Sequence, residues 1–373
     1  MSGPSAERTG AESAAYRDAG VDYATLDDAK RRAISAARAT GTALRTGHFV
    51  EASRGEPAQL VEVGGARIGF VLECLGTKSM LANEALERLG EDHFAAIGYD
   101  TVAAAVNDLV CLGALPLVVN AYFATGAPSW YQGSRHGSLV EGFARACGDA
   151  GAAWGGGESP TLSGLIEAEA IDLAAAAIGL VPTESAPLLG DALEAGDEIV
   201  LVASSGLHAN GASLARRVAR HLPDRLESRL PSGAQLGDAL LAPSVSYVGL
   251  VAALQSGGVP LHYASHITGH GWRKLQRARR DLTYRVHTLP AVPEVLDFLA
   301  RAADLEPAEA YATLNMGAGF ACYVAAGAGE EAVAAATRLG YRALVAGVVE
   351  AGERRVVIEP LGVTYSGADL DLG

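Results

Sequence analysis

Residues 98–126, GYDTVAAAVNDLVCLGALPLVVNAYFATG, form an apolar block interrupted by the adjacent Asn107 and Asp108, with Asp100 upstream. The spacing predicts a helix from Asp100 to about Gly113, then a buried strand from Leu115 to Phe123. Upstream, residues 1–15 are small and polar and read as a disordered tail. From Tyr16, YRDAGVDYATLDDAKRRAISAARAT predicts a turn and an amphipathic helix with Arg and Lys on its wet face. ARIGFVLECLGTKSMLANEAL, 66–86, predicts a strand, a turn and a helix start, and residues 127–149 predict another amphipathic helix. A glycine run, GGGE, precedes a strand that ends near Val181.

Turn formers in PTESAPLLGDALEAGD mark a boundary near 183–197. Beyond it, EIVLVA reads as a buried strand that enters a Ser-Ser-Gly turn and a helix near Ala212. Residues 313–325 predict a glycine-assisted strand, and 346–360 a closing hairpin with GERR as its turn. The organisation expected is a tail (1–15), an N-terminal domain (16–183), a C-terminal domain (184–361) and a second tail (362–373). The class is α/β (α+β).

Composition narrows the function. A chain of 373 residues supports two domains with real cores. A formal charge of −14 argues against nucleic-acid or anionic-membrane partners. Lysine occurs only at Lys30, Lys78 and Lys274, and a GC-rich codon bias explains that without any function. Cys74, Cys111, Cys147 and Cys322 are widely spaced with no CxxC pair, so neither a disulfide framework nor a zinc site is expected. No run reaches the roughly 18 apolar residues of a membrane span and no signal peptide opens the chain, so a cytoplasmic protein is expected.

The chemistry concentrates where charge meets apolar sequence. A carboxylate inside so greasy a segment is costly without partners. A hydrogen-bonded core Asp is one reading; an acidic cluster of Asp100 and Asp108 holding magnesium is the other, because magnesium takes one or two carboxylates plus substrate phosphates. The backbone amides of the Ser205–Gly206 turn form a natural phosphate site at a strand-to-helix junction, with His208 and Asn210 beside it.

Residues 98–126 resemble the signature region of the aminoimidazole ribonucleotide synthetase (phosphoribosylformylglycinamidine cyclo-ligase) family, G-[IV]-D-x-V-A-M-x-V-N-D-[LI]-x-x-x-G-A-x-P-L ending in Y-x-A-T-G. Other motifs follow in the family's order. YRDAGVD is similar to its opening. Gly76, Thr77, Lys78 and Ala82 keep part of S-x-T-D-G-V-G-T-K-x-x-x-A, with Glu73 in place of Asp and Cys74 in place of Gly. Gly156, Gly157 and Glu158 keep V-G-G-E-T. ASSGLHANGASLARR resembles x-L-x-S-S-G-x-H-S-N-G-[YF]-S-L-[VA]-R, and His266, Thr268, Gly269 and Gly271 keep H-[IL]-T-G-G-G.

The resemblance covers about residues 16–360. It implies a PurM-like two-domain fold whose N-terminal domains pair across a two-fold axis into a barrel-like sheet, and hence a homodimer. The implied reaction is ATP-dependent closure of formylglycinamidine ribonucleotide to aminoimidazole ribonucleotide, with ATP and Mg2+ as cofactors and a monovalent cation as a further candidate. Carried over by position, Asp100, Asp108, Glu158 and Glu73 are the metal set. His208, Lys78 and Asn210 are the catalytic set. Gly76, Thr77, Asp100, Asn107, Gly157, Ser205 and Gly206 would hold nucleotide or phosphate, and His266, Thr268 and Gly269 the substrate.

Three departures fall at ligand-facing positions. LRTGHFVEASRGEPAQL replaces a glycine-rich N-terminal loop, where Arg45, His48 and Arg54 are substitute anion binders or simply solvated. T-D-G-V-G has become LECLG, and T-G-G-G has become TGHG, adding the His270 side chain. A paralogue acting on another amide and a non-catalytic nucleotide-binding dimer are the alternatives.

Overall fold

The computed structural model describes residues 23–370, with side chains from residue 32 onward. The tail at 1–15 and the YRDAGVD turn lie outside the described residues. The helix expected next is α1, Tyr23–Thr40.

The N-terminal half is a six-stranded sheet in the order β1-β2-β3-β6-β4-β5, from β1 His48–Phe49, β2 Gln59–Val63, β3 Ala66–Cys74, β4 Leu115–Thr125, β5 Ala153–Glu158 and β6 Ile171–Val181. Helices α2 (Lys78–Leu89), α3 (Phe94–Val110) and α4 (Ser134–Asp149) accompany it. On α4, Leu139, Gly142, Phe143, Ala146 and Cys147 are buried at helical spacing, the stripe predicted for 127–149. Where α4 meets α3 the backbones nearly touch: a Cβ on Gly142 would stand 1.8 Å from the Ala95 carbonyl oxygen, and one on Gly98 2.1 Å from that of Leu139.

Helix α3 starts six residues before the position expected. Asp92 accepts a hydrogen bond from the Phe94 amide at 2.9 Å, and the fully buried Phe94 and Ile97 give this first turn a core to join. One face of the sheet keeps apolar side chains in the open: Phe70 (46% exposed) and Leu72 (63%) on β3, and Ile178 (42%) on β6. Phe70 pairs with Ile178, and Ile178 with Val118 of β4, so they form a row across three strands.

The C-terminal half is a seven-stranded sheet, β13-β12-β9-β11-β7-β10-β8. Its strands are β7 Glu198–Ala203, β8 Leu261–His266, β9 Leu282–Val286, β10 Ala318–Val324, β11 Ala343–Ala351, β12 Arg355–Ile358 and β13 Val363–Ser366. Helix α5, Ala212–His221, begins where the sequence placed it. Two expectations are corrected. Residues 343–358 are not a hairpin, because β9 lies between β11 and β12. The hairpin is instead β12 with β13, Arg355 facing Ser366, so Val363–Ser366 of the expected tail belong to the sheet. Val356, Ile358, Val363 and Tyr365 are buried there, an apolar alternation that repays the pairing.

The halves are joined beyond the linker. Leu188 donates its amide to the Leu112 carbonyl at 3.1 Å, Arg67 reaches the Ser185 carbonyl at 3.0 Å, and Tyr263 donates to Glu56 at 2.7 Å.

Candidate active site

Helix α3 carries its polar side chains straight into the second half. Asp100 is fully buried. One of its carboxylate oxygens accepts from the Lys78 Nζ at 2.5 Å and the other from the Ser244 amide at 2.6 Å. Lys78, also fully buried, lies 3.3 Å from the Ala242 carbonyl. Two turns on, Asn107 accepts from the Tyr247 amide and donates to the Val245 carbonyl, both at 2.8 Å. Lys78, Asp100 and Asn107 therefore spend their functional groups on residues 242–247 and clasp the halves together.

The expected Asp100–Asp108 cluster does not form. Eight residues of helix separate the two by about 12 Å of rise. Asp108 turns to a different neighbour: it accepts from His266 Nδ1 at 2.6 Å. Burial, the largest single influence, acts to raise the Asp108 carboxyl, but the His266 hydrogen bond and the positive charge around it, Lys274 and Arg277 included, together outweigh it, so its pKa lies below the ordinary carboxylate value.

Asp108 and His266 open onto a cavity of about 300 Å³ between the two halves. Glu73 enters from the end of β3, Asn210 from the turn before α5, Thr268 and Gly269 from the turn after β8, and Lys274 and Arg277 from the segment that follows. Burial, and then the negative charge of Asp108, raises the Glu73 carboxyl to about 8. Burial, and then the neighbouring Arg277, lowers Lys274 to about 8. The Lys274 ammonium donates to the Thr268 hydroxyl, and Ser265 Oγ donates to the Lys274 carbonyl at 2.9 Å. His270, with a left-handed φ of 71°, also lines this wall.

The remaining expected residues stand elsewhere. His208 is 4% exposed, its Nε2 accepting from the Ser205 amide at 3.2 Å, while its Nδ1 is buried without a partner. Burial holds its pKa well below the ordinary histidine value, so this imidazole is neutral and, with Nε2 accepting, carries its proton on Nδ1. Its φ of 58° makes it the corner of the Ser-Ser-Gly turn, which Asn315 braces by donating to the Gly206 carbonyl at 2.7 Å. Ser205 is exposed and donates to the Pro243 carbonyl at 2.5 Å. Gly76 sits at φ 71° ahead of Thr77, whose hydroxyl meets Ser213 at 2.9 Å. Gly157 and Glu158 are exposed on β5, the edge strand, outside the cavity. Of the substitute anion binders, Arg54 is engaged by Glu51 at 2.6 Å, and Arg45 and His48 face solvent.

The structure thus brings together Glu73, Asp108, Asn210, His266, Thr268 and Gly269, and separates them from Asp100 and Glu158. The four-carboxylate metal set is not assembled. Two carboxylates remain at the cavity, beside an ammonium. Sequence reasoning missed Lys274, Arg277 and Asn315. For Lys274 a signal existed, since it is one of only three lysines.

Comparison with known proteins comes down on both halves. Residues 55–181 match the AIR synthase related protein N-terminal domain, and residues 194–359 its C-terminal domain. The phosphoribosylformylglycinamidine cyclo-ligase of Methanothermobacter thermautotrophicus is 33% identical over 316 residues, covering 83% of this chain and 87% of that protein. The enzyme of the same name from Anaeromyxobacter sp. Fw109-5 is 36% identical over 357 residues, covering 92% and 98%. Among solved structures, the thiamine-monophosphate kinase of Stenotrophomonas maltophilia K279a superposes with a TM-score of 0.58 at 20% identity, covering 82% of this chain and 90% of that one. The HypE–HypF complex gives 0.58 at 18% identity, covering 84% and 92%. At those identities the structural likeness speaks for the fold alone.

Proposed function

The chain belongs to the AIR synthase related family, and on that premise we propose that it is an ATP-dependent cyclo-ligase converting formylglycinamidine ribonucleotide to aminoimidazole ribonucleotide in purine biosynthesis. The observation that carries this is the 36% identity to a cyclo-ligase over 92% of the chain, both halves of the cavity included.

In the reaction, the formyl oxygen attacks the γ-phosphorus of ATP and ADP leaves. The substrate's nitrogen then attacks the activated carbon, inorganic phosphate departs with the oxygen, and a proton is lost as the imidazole closes. Such transfers depend on positioning and on charge placed where it develops. Asp108, fixed by His266, and Asn210 and Thr268 on facing turns are the groups we assign to orienting the substrate. Lys274 and Arg277 supply positive charge on the same wall. Magnesium, when bound, would be carried by the triphosphate and would neutralise part of its charge. Lys78, Asp100 and Asn107 act by holding the cavity's two walls in register, and His208 by setting the turn that presents Asn210.

We further propose a homodimer, supported by the open apolar row of Phe70, Leu72 and Ile178, too contiguous for a solvated sheet face. Four free cysteines agree with a cytoplasmic location. No helix among the described residues is long and apolar enough to cross a membrane. A second reading, the same phosphate activation on another amide, is favoured by the Lys274 and His270 side chains in the cavity wall.

The test is phosphate release from ATP, magnesium and formylglycinamidine ribonucleotide, with the aminoimidazole product followed in parallel. Matched phosphate and product establish the cyclo-ligase. ATP binding without product overturns it in favour of the second reading.

A further inference from the structure

Arginine supplies all but three of this chain's 29 Lys and Arg side chains, yet two of those three lysines are buried at the junction of the halves. Lys78 has a full partner in Asp100. Lys274 does not: the residue is 7% exposed and its ammonium donates to the Thr268 hydroxyl, while no carboxylate among the described residues comes within the 4.0 Å of an ion pair. It faces the cavity that Glu73 and Asp108 enter from the other half of the molecule. A buried ammonium without a contacting carboxylate is costly unless the surroundings supply negative charge at somewhat longer range. Asp108, whose carboxyl stays ionised, supplies it.

We propose that Lys274 is a resident cation of this site: it balances the charge of Asp108 beside Glu73 in the role a divalent ion would otherwise fill, so the nucleotide-free cavity binds no magnesium. Three features carry this. The cavity offers two carboxylates, and one of them, Asp108, already accepts from His266. Arg277 adds a second positive group on the wall that holds Lys274. A divalent ion between those carboxylates would meet two fixed like charges in a small space, and Coulomb repulsion at such range lowers affinity by orders of magnitude. The segment that carries Lys274 is itself fixed, since Ser265 binds its carbonyl and the neighbouring Trp272 donates to the Asn315 carbonyl at 2.8 Å. The ammonium is therefore held in place rather than free to withdraw.

The inference rests on the reading of this cavity as the active site, but its test needs no turnover. Mn2+ is titrated, as a probe for magnesium, into the nucleotide-free protein and followed by electron paramagnetic resonance and calorimetry. The wild type should show no binding that depends on Asp108. Lys274→Met should gain a site at least about tenfold tighter, corresponding to removal of one like charge, and Lys274→Met/Asp108→Asn should lose it. Lys274→Arg should behave as the wild type. Should Lys274→Met fold poorly by circular dichroism, Lys274→Gln removes the same charge while keeping a donor for Thr268. Glu91, His93 and Asp238 also gather their ligand atoms within 4.8 Å, so His93→Ala identifies ions held there instead. Wild-type binding that disappears in Asp108→Asn, or no gain in either neutral Lys274 variant, overturns the proposal. ADP titration in the same samples separates the two ideas: absence of nucleotide binding would count against the ATP-using reading and leave the metal result standing.

Discussion

The clasp between Lys78 and Asp100 makes a prediction that also decides what these residues are for. Both side chains are fully buried, 2.5 Å apart, and Asp100 has one further donor, the Ser244 amide. In Lys78→Met the aliphatic stem is retained and the charge is lost, so the Asp100 carboxylate stays buried with that single hydrogen bond. Breaking a buried pair from one side costs about 3–5 kcal/mol. That is a large share of the roughly 5–15 kcal/mol by which proteins are stable. Asp100→Asn should cost a similar amount by stranding the ammonium against the Ala242 carbonyl. In the double variant the amide still accepts from Ser244 and no charge is stranded, so it should lie within about 2 kcal/mol of the wild type, far less than the two losses added. Urea unfolding of the four proteins, with the slope checked for constancy, measures the cycle. A loss under about 1 kcal/mol in Lys78→Met, with additive behaviour in the double variant, would refute the clasp and return Lys78 to the catalytic role the family resemblance implies.

Other outcomes follow from the same geometry. Asp108→Asn should lower kcat at least about a hundredfold, as expected for loss of a group that orients reacting charge, while urea midpoints and dimer mass hold nearly constant. Gly142→Ala should destabilise by about 1–3 kcal/mol or more in thermal unfolding, since its Cβ would overlap the Ala95 carbonyl on α3. His208 stays neutral in the folded protein, so the unfolded chain binds the extra proton below its ordinary pKa near 6.5. Stability from this group is complete above that pH and falls by up to about 1.4 kcal/mol per unit below it. Unfolding midpoints between pH 5 and 7 should show a shallower acid loss in His208→Gln. If the proposed dimer forms through the apolar row, Ile178→Lys should leave monomers by light scattering, because it sets a charge there.

Much of the fold was legible because periodicity reports burial. The strand after Gly113, the stripe on α4 and the start of α5 all came from local pattern alone. The β12–β13 hairpin was not legible, since nothing local shows that β9 inserts between β11 and β12. The site was half legible for a related reason. Motifs point to residues that matter, and Asp100, Asp108 and Asn107 lie on one helix. Their division of labour depends on which stretch of the other half each one meets. Asp100 meets the Ser244 amide and Asp108 meets His266, contacts across more than a hundred residues that spacing does not encode. Lys274 carried no motif at all.

The clasp also bears on how such a protein can be inherited. Its two halves look separable, each with its own sheet and each matched as a separate domain. Yet α3 belongs to the first half by sequence and to both by bonding. A recombination that exchanged either half for a distant relative's would strand Lys78, Asp100 and Asn107 against a loop they do not fit. The halves are bound to change together, and a substitution near residues 242–247 should be matched by one on α3.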